Sequence, residues 1–285
     1  MNNQIHFSCN KCGGCCNKPP RVNFYEMLEL SNEFIWRACH NVFISTAKNP
    51  LEKNKIEQLQ NIGHTIVVPE HDLSFFYYID FEPIQFKNNS NCSKLSQDNL
   101  CSIYGKRPAR CRISPFNILS DEHSQSENIL FFKKQSEKKV WNCSFDINST
   151  LIYENSNFSQ NHHQSLYYQE IFQIRDITDK FIEFLDIQEN QGKQNHFETL
   201  FNYSFKNKIS SIYSDLDFLL HMGLYYNMID DLYVNKFLNS QIKLLNNFIE
   251  NKQVDKETYK EYIKLKEKYS NFLEKNYFSE LYNLQ

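Results

Sequence analysis

The sequence predicts an α+β protein: a loop-rich N-terminal module, in which cysteines and a metal organise short strands, followed by a mainly helical C-terminal domain. Two observations predict this division. All nine cysteines of the 285-residue chain lie before residue 150, which indicates a metal-binding module over residues 1–150. Beyond about residue 160 the chain has no proline, and its apolar residues recur at helical spacing, which predicts a helical bundle over residues 151–285.

The elements of the N-terminal module follow from the spacing of its apolar residues. Helical spacing predicts helices over Tyr25–Phe34 and Pro50–Ile62. Clusters of β-branched and aromatic residues predict strands at Thr65–Val68, Leu73–Phe81 and Ile129–Phe132. The intervening segments are rich in Asn, Ser and Pro, so we expect long loops that a bound metal would hold together.

The helical pattern of the second half begins near His162. It continues through Phe197–Ile212, Leu216–Phe248 and Tyr259–Leu281. Adjacent side chains at the start of a helix point to different faces, so we expect His162 and His163 to lie in a solvated first turn rather than to bind a metal.

Charge and hydropathy exclude several classes of protein. The formal net charge is −3 and neither half is strongly basic, so a nucleic-acid partner is not expected. No apolar segment has the length of a signal-peptide core or a bilayer span, so no membrane partner is expected either and a cytoplasmic location is predicted. Thiols stay reduced there, which favours metal binding over disulfides as the use of the cysteines.

The first cysteine group is crowded into eight positions, with the sequence CNKCGGCC. Its members are Cys9, Cys12, Cys15 and Cys16. A C-x2-C pair lets one turn of backbone aim two thiolates at one ion, and Gly13 and Gly14 permit the positive φ values and close approach that such a turn needs. A ferredoxin run would place its fourth ligand at Pro19, which cannot ligate, so a ferredoxin is excluded.

The second cysteine group lies more than seventy residues later along the chain. Its members are Cys92, Cys101 and Cys111, with Cys143 further on. Cys39 is set aside as a small buried residue, because it sits in an apparent helix, WRACHNVF. The eight remaining thiols suffice for two sites of four thiolates. Successive side chains diverge at Cys15 and Cys16, which favours two neighbouring sites or one polynuclear cluster.

Three arginines bracket one of these cysteines, since Arg107, Arg110 and Arg112 surround Cys111. Their charge could offset the negative charge of a thiolate-bound metal, and their N–H groups could donate hydrogen bonds to sulfur, so we expect them to take part in binding the cofactor. The alternative is a basic surface loop.

The order of these motifs resembles the CxxCxxCC family, also called the YkgJ-type cysteine cluster. The resemblance rests on Cys9-x2-Cys12-x2-Cys15-Cys16, on Cys92 with Leu95 and Asp98, on Cys101-Ser102-Ile103-Tyr104, and on Arg107-Pro108-Ala109-Arg110-Cys111-Arg112 followed by Phe116. It covers roughly residues 7–145. The chain departs from the family pattern in its long insertion between the two cysteine groups. It also lacks the glycine-flanked final cysteine, so the resemblance does not settle the role of Cys143.

The resemblance implies chelation of zinc or iron. The chain is also similar, more distantly, to flagellin lysine-N-methylase. That similarity would imply S-adenosylmethionine as a cofactor and a protein or peptide substrate. Three hypotheses follow: a metal protein with an iron–sulfur cluster or zinc and an enzymatic or redox role, a protein lysine methyltransferase, and a structural zinc module that presents a helical binding surface. Vicinal cysteines and nearby arginines favour the iron–sulfur cluster, because they suit a polynuclear centre.

Overall fold

The chain is described by a computed structural model that covers residues 4–16, 20–46, 62–68, 73–84, 92–190, 211–251 and 255–274. The strands are β1 (Gln4–Cys9), β2 (Trp36–Thr46), β3 (His64–Val68), β4 (Leu73–Pro83), β5 (Cys143–Ser144), β6 (Thr150–Glu154), β7 (Asn157–Phe158) and β8 (Ser211–Ser214). The helices are α1 (Phe24–Glu29), α2 (Ala109–Arg112), α3 (Gln125–Glu137), α4 (Asn161–Asn190), α5 (Asp217–Tyr225), α6 (Asp231–Glu250) and α7 (Lys256–Glu274). The predicted α+β class is confirmed.

The strands form two four-stranded antiparallel sheets. The first sheet has the order β5-β1-β6-β7, and the second has the order β3-β4-β2-β8. In the second sheet, β2 pairs with β4 from Trp36 opposite Pro83 to Thr46 opposite Leu73. On its other edge β2 pairs with β8, where Ala38 lies opposite Ser214. Because β8 follows α4 along the chain, this sheet contains residues from both sides of residue 150, and the division there stays a prediction.

The largest hydrophobic core lies between the second sheet and the helices, with Trp36, Phe81 and Phe237 among its fully buried side chains. Gln241 on α6 anchors the chain inside this core. Its side-chain oxygen accepts a hydrogen bond from the Trp36 N–H at 2.9 Å, and its Nε2 donates to the carbonyls of Ser31 and Phe34. Every polar group of this buried amide is therefore satisfied, which fixes α6 against the start of β2.

Two of the predicted strands are confirmed, since Thr65–Val68 lies within β3 and Leu73–Phe81 within β4. The strand predicted at Ile129–Phe132 is wrong, because these residues lie in the middle of α3. A half-buried strand would alternate inward and outward, whereas here Ile129 is buried and the next two residues, Leu130 and Phe131, are both exposed. The Glu, Lys and Gln residues on either side are strong helix formers, and they favour a helix over a strand for this short apolar run.

The predicted helix near His162 is confirmed as α4. The helix predicted over Tyr25–Phe34 is shorter, because α1 ends at Glu29. The helical prediction for Phe197–Ile212 falls mostly outside the described residues, and its last two residues begin β8 instead. The prediction for Pro50–Ile62 also lies outside the described residues, except for its final position.

The helical pattern over Leu216–Phe248 is divided between α5 and α6. Helix α6 begins after Asp230, whose side chain accepts a hydrogen bond from the Tyr233 N–H at 2.7 Å and so caps the helix. Helix α7 accounts for the first part of the pattern predicted over Tyr259–Leu281. None of the helices in the described parts of the chain has the length and apolar character needed to cross a bilayer.

Candidate metal centre

The eight cysteines predicted to bind a metal line two adjoining cavities. The first cavity has a volume of about 280 Å³ and is lined by Cys9, Cys15, Cys16, Cys92, Cys101 and Cys111. The second cavity has a volume of about 290 Å³ and is lined by Cys9, Cys12, Cys15, Cys111 and Cys143. Since Cys9, Cys15 and Cys111 line both cavities, the fold gathers all eight thiols into one region.

Strand β1 delivers the first cysteine group, because Cys9 is its last residue and a short 3-10 turn from Gly14 to Cys16 follows. The Cys16 N–H donates a hydrogen bond to the Gly13 carbonyl at 2.9 Å, which closes this turn. Gly13 has a φ of 70°, the left-handed conformation in which glycine is favoured. The predicted need for a positive φ in this loop is thus confirmed at Gly13.

Gly14 is required for a different reason, namely close packing against Trp141. A Cβ atom at Gly14 would lie 2.2 Å from the Trp141 Cδ1 atom, well inside contact distance. The residue after this tryptophan, Asn142, donates its backbone N–H to the Cys12 sulfur at 3.2 Å. Cys143 then lies directly opposite Cys9 in the antiparallel pair of β5 with β1. Sheet pairing therefore places Cys143 with the first cysteine group, which its spacing alone did not assign.

The second cysteine group is tied to the first by the backbone. The Cys92 N–H donates a hydrogen bond to the Cys16 carbonyl at 2.8 Å. A β-bridge between Leu95 and Cys101 then folds the intervening loop, and the side chain of Leu95 lies against Gly13. These contacts bring the two groups together although about seventy-five residues separate Cys16 from Cys92 in the sequence.

Cys39 lies apart from this region, in the middle of β2, and is fully buried. The apparent helix around it is wrong, because Trp36–Thr46 forms the central β2 of the second sheet. Its thiol donates a hydrogen bond to the Asn41 side-chain oxygen at 3.6 Å, and burial raises its pKa to about 12. Exclusion of Cys39 from the metal ligands agrees with its place in the core.

The thiols differ in how readily they lose a proton. A hydrogen bond from the Cys16 thiol lowers the pKa of Cys15 to about 6, and the nearby Arg107 guanidinium adds to this effect. The same hydrogen bond, together with burial, raises the pKa of Cys16. Burial and neighbouring thiols raise the pKa of Cys111 to about 12 and that of Cys143 to about 11. Of the adjacent Cys15 and Cys16, Cys15 is therefore the thiol that loses its proton more readily.

The three predicted arginines occupy different environments. Arg107 lines both cavities, and its guanidinium stacks on the Tyr104 ring with its carbon 3.8 Å from the ring centroid. Arg112 lines the second cavity and lies 3.7 Å from a Glu26 carboxylate oxygen. Arg110 lines the first cavity, but two of its nitrogens form ion pairs with buried carboxylates. Arg107 is thus the arginine whose charge acts on the thiols.

A buried ion-pair network supports the wall of the first cavity, and sequence reasoning missed it. Arg110 Nη1 lies 2.8 Å from Asp80 and its Nε lies 3.0 Å from Glu170, and both carboxyl groups are buried. Asn23 donates to the same Glu170 at 2.5 Å, and Arg21 lies 3.6 Å from Asp80. Such paired, hydrogen-bonded charges hold their geometry because losing one partner would strand a buried charge. The sequence signal was Asp80 itself, a carboxylate inside the apolar strand YYIDFEP.

Glu26 positions the helix that carries Cys111. Its Oε1 accepts a hydrogen bond at 2.6 Å from the N–H of Ala109, the first residue of α2. Burial and the neighbouring Glu170 raise the pKa of Glu26 to about 7. Since α2 has only four residues and is not stable by itself, this contact helps to hold the helix that carries Cys111.

The two histidines at the start of α4 differ in exposure. His162 is exposed, as expected for a solvated first turn. His163 is instead half-buried and lines the second cavity, with its ring 5.5 Å from that of Phe116. Its Nδ1 has no hydrogen-bond partner within the described parts of the chain. Burial lowers the pKa of His163, so its imidazole is neutral at physiological pH. A neutral imidazole beside thiols is a further possible ligand that sequence reasoning set aside.

The donor set fits a thiophilic metal. Eight thiols and one imidazole line the two cavities, and among the described residues no Asp or Glu does. Thiolates select zinc and iron–sulfur centres, whereas magnesium and calcium require oxygen ligands. Over the same described residues, no three Cys, His, Asp or Glu side chains are arranged to hold one ion. A bound metal would therefore have to draw thiols inward from the cavity walls.

Comparison with known proteins agrees with this chemistry. Residues 8–144 match the model of the CxxCxxCC family, which is described as "Putative zinc- or iron-chelating domain". No curated protein and no solved structure matches the chain. The matched range begins just before Cys9 and ends just after Cys143, so it contains every cysteine that lines the cavities.

Proposed function

We propose that the eight cavity cysteines hold an iron–sulfur centre that gives the protein a redox or enzymatic role, a proposal supported by the match of residues 8–144 to the CxxCxxCC family model. We assign the eight thiols to two sets of four from their spacing and from the pairing of Cys143 with Cys9. Set A comprises Cys9, Cys12, Cys15 and Cys143, and set B comprises Cys16, Cys92, Cys101 and Cys111. Each set offers the four thiolates that a cluster or a tetrahedral zinc ion requires.

One observation carries this proposal: the eight closely spaced cysteines line the two adjoining cavities, and the ninth, Cys39, is buried elsewhere. Burial alone would not explain the pattern, since a buried cysteine behaves as a small apolar residue and needs no other thiols around it. Cys39 shows that behaviour in the same chain. The other eight are exposed or half-buried and line the same region, where a metal could draw them together.

The shared wall between the cavities favours iron–sulfur over two separate zinc ions. Cys15 lines both cavities and Cys16 lines the first, so adjacent residues would serve neighbouring centres or one polynuclear centre. Arg107 at the same wall would offset the negative charge of a thiolate-bound cluster and so influence its potential. Lysine methylation with S-adenosylmethionine rests on the distant resemblance alone and stays a prediction.

The test is purification without oxygen, followed by analysis of iron, zinc and acid-labile sulfide and by a visible absorption spectrum. We expect a coloured protein that contains iron and sulfide in comparable amounts and bleaches on reduction. A colourless protein with stoichiometric zinc would overturn the iron–sulfur assignment and favour a structural zinc module. A protein that contains neither metal, even after reconstitution with iron and sulfide or with zinc, would overturn metal binding itself.

A further inference from the structure

Besides its thiols, the first cavity is lined by cationic and by apolar side chains. Its cationic lining consists of Lys11, Arg21, Lys94, Arg107 and Arg110, and no Asp or Glu of the described residues lines it. Its apolar lining includes Phe34, Ile103, Tyr104, Phe116 and Phe132. A cavity lined by both cationic and aromatic side chains can take a small molecule that has a charged group and an apolar body.

Most of the cations already have partners. Lys94 lies 2.8 Å from Glu33, and Arg21 lies against Asp80 and Glu82. Arg107 differs, because no carboxylate in the described parts of the chain pairs with it. It contacts the Tyr104 ring, and the Lys11 ammonium lies 4.7 Å from the centroid of that same ring. The wall around Tyr104 therefore carries positive charge that no carboxylate of the described residues neutralises.

Two guanidinium nitrogens in this lining are buried without an acceptor. They are Nε of Arg107 and Nη2 of Arg110, and neither has a hydrogen-bond partner, sulfur included, among the residues that the structure describes. Buried donors are almost always satisfied, and an unsatisfied one costs roughly 1–3 kcal/mol. Arg110 cannot turn away to find another acceptor, because Asp80 and Glu170 hold its other two nitrogens. Its Nη2 is thus a buried donor held in place on a side chain that lines the cavity.

We propose that the first cavity binds a small carboxylate with an apolar body, whose carboxylate accepts hydrogen bonds from Arg107 and Arg110 while its body contacts the aromatic lining. Arginine suits this task because its planar fork matches a carboxylate, and charge-assisted hydrogen bonds of this kind are about twice as strong as neutral ones. The ligand would lie beside the thiols that line this cavity, which are all four of set B together with Cys9 and Cys15 of set A. The proposal rests on the proposed function, since the ligand is the molecule on which that metal centre would act.

Calorimetric titration of the metal-loaded protein tests this ligand class with benzoate, benzamide and acetate. Benzoate and benzamide share a ring but differ in charge, whereas acetate keeps the carboxylate and lacks the ring. We expect benzoate to bind at least about tenfold more tightly than either, because only benzoate uses both walls. Equal binding of benzoate and benzamide, or no binding of benzoate, overturns the proposal without any variant.

Variants identify the donor. Arg107→Met should weaken benzoate binding about tenfold or more, and Arg107→Lys should weaken it too, because lysine keeps the charge and lacks the Nε donor. The matched control is Lys106→Met, which removes one charge at an exposed neighbouring position that lines neither cavity. Unchanged binding in both Arg107 variants overturns the assignment of the donor.

Metal content is measured separately in every sample. Loss of benzoate binding with full metal content concerns the cavity ligand alone. Loss of metal in the wild-type protein would instead refute the proposed function, so the two failures are distinguishable.

Discussion

Gly14→Ala tests whether packing at the cysteine loop controls metal binding. The added Cβ would lie 2.2 Å from Trp141 Cδ1 and 2.7 Å from its Cγ, whereas ordinary contact begins at 3.4 Å. The two groups must therefore separate by about 1.2 Å (3.4 minus 2.2). Overpacking of this kind costs roughly 1–3 kcal/mol in the free energy of unfolding. We expect Gly14→Ala to lose stability within that range.

The same displacement should reach the thiols. Trp141 precedes Asn142, whose N–H lies 3.2 Å from the Cys12 sulfur, so a shift of about 1 Å there would break this hydrogen bond. The next residue is Cys143, which belongs to set A. We therefore expect Gly14→Ala to retain substantially less metal than the wild type after dialysis against a weak chelator.

The matched control is Gly105→Ala, since a Cβ there meets nothing within 4 Å. It should change the free energy of unfolding by no more than about 0.5 kcal/mol and keep its metal. The measurements are urea unfolding of the reduced, metal-free proteins and metal analysis of the loaded ones. Replacing Trp141 with Leu in the Gly14→Ala background should restore part of both losses. If Gly14→Ala matches Gly105→Ala in stability and metal content, the packing argument is refuted.

Two further predictions concern the thiols. Cys16→Ala should lose metal. Cys39→Ala should keep its metal and lose only stability, because Cys39 is buried in the core away from the cavities. Full metal content in Cys16→Ala would contradict the division into two sets. Burial holds the pKa of Cys111 at about 12 and that of Cys143 at about 11, so both thiols carry protons at pH 8 before metal binds and must release them. Metal affinity should therefore fall as the pH falls. Calorimetry in buffers of different ionisation enthalpy should detect the released protons. A heat of binding that is independent of the buffer would refute this prediction.

The local pattern of the sequence predicted what depends on neighbours along the chain. The long helix near His162, the strand at Leu73–Phe81 and the positive φ at Gly13 were all found where expected. The eight cavity cysteines were separated from Cys39 by their spacing, although the helix assumed around Cys39 is wrong. Such features can be predicted from the sequence because hydrophobic periodicity and the backbone freedom of glycine depend on only a few neighbouring residues.

Tertiary structure decided what depends on residues far apart in the chain. Cys143 joins the first cysteine group because β5 pairs with β1, and Cys92 meets Cys16 through a backbone hydrogen bond. The three arginines look equivalent in sequence, yet buried carboxylates on β4 and α4 hold Arg110 and leave Arg107 beside the thiols. Spacing predicts which residues could bind a metal. Strand pairing and charge pairing determine which of these residues come close together in the fold. Both join residues that are far apart in the sequence, so a local sequence pattern cannot predict them.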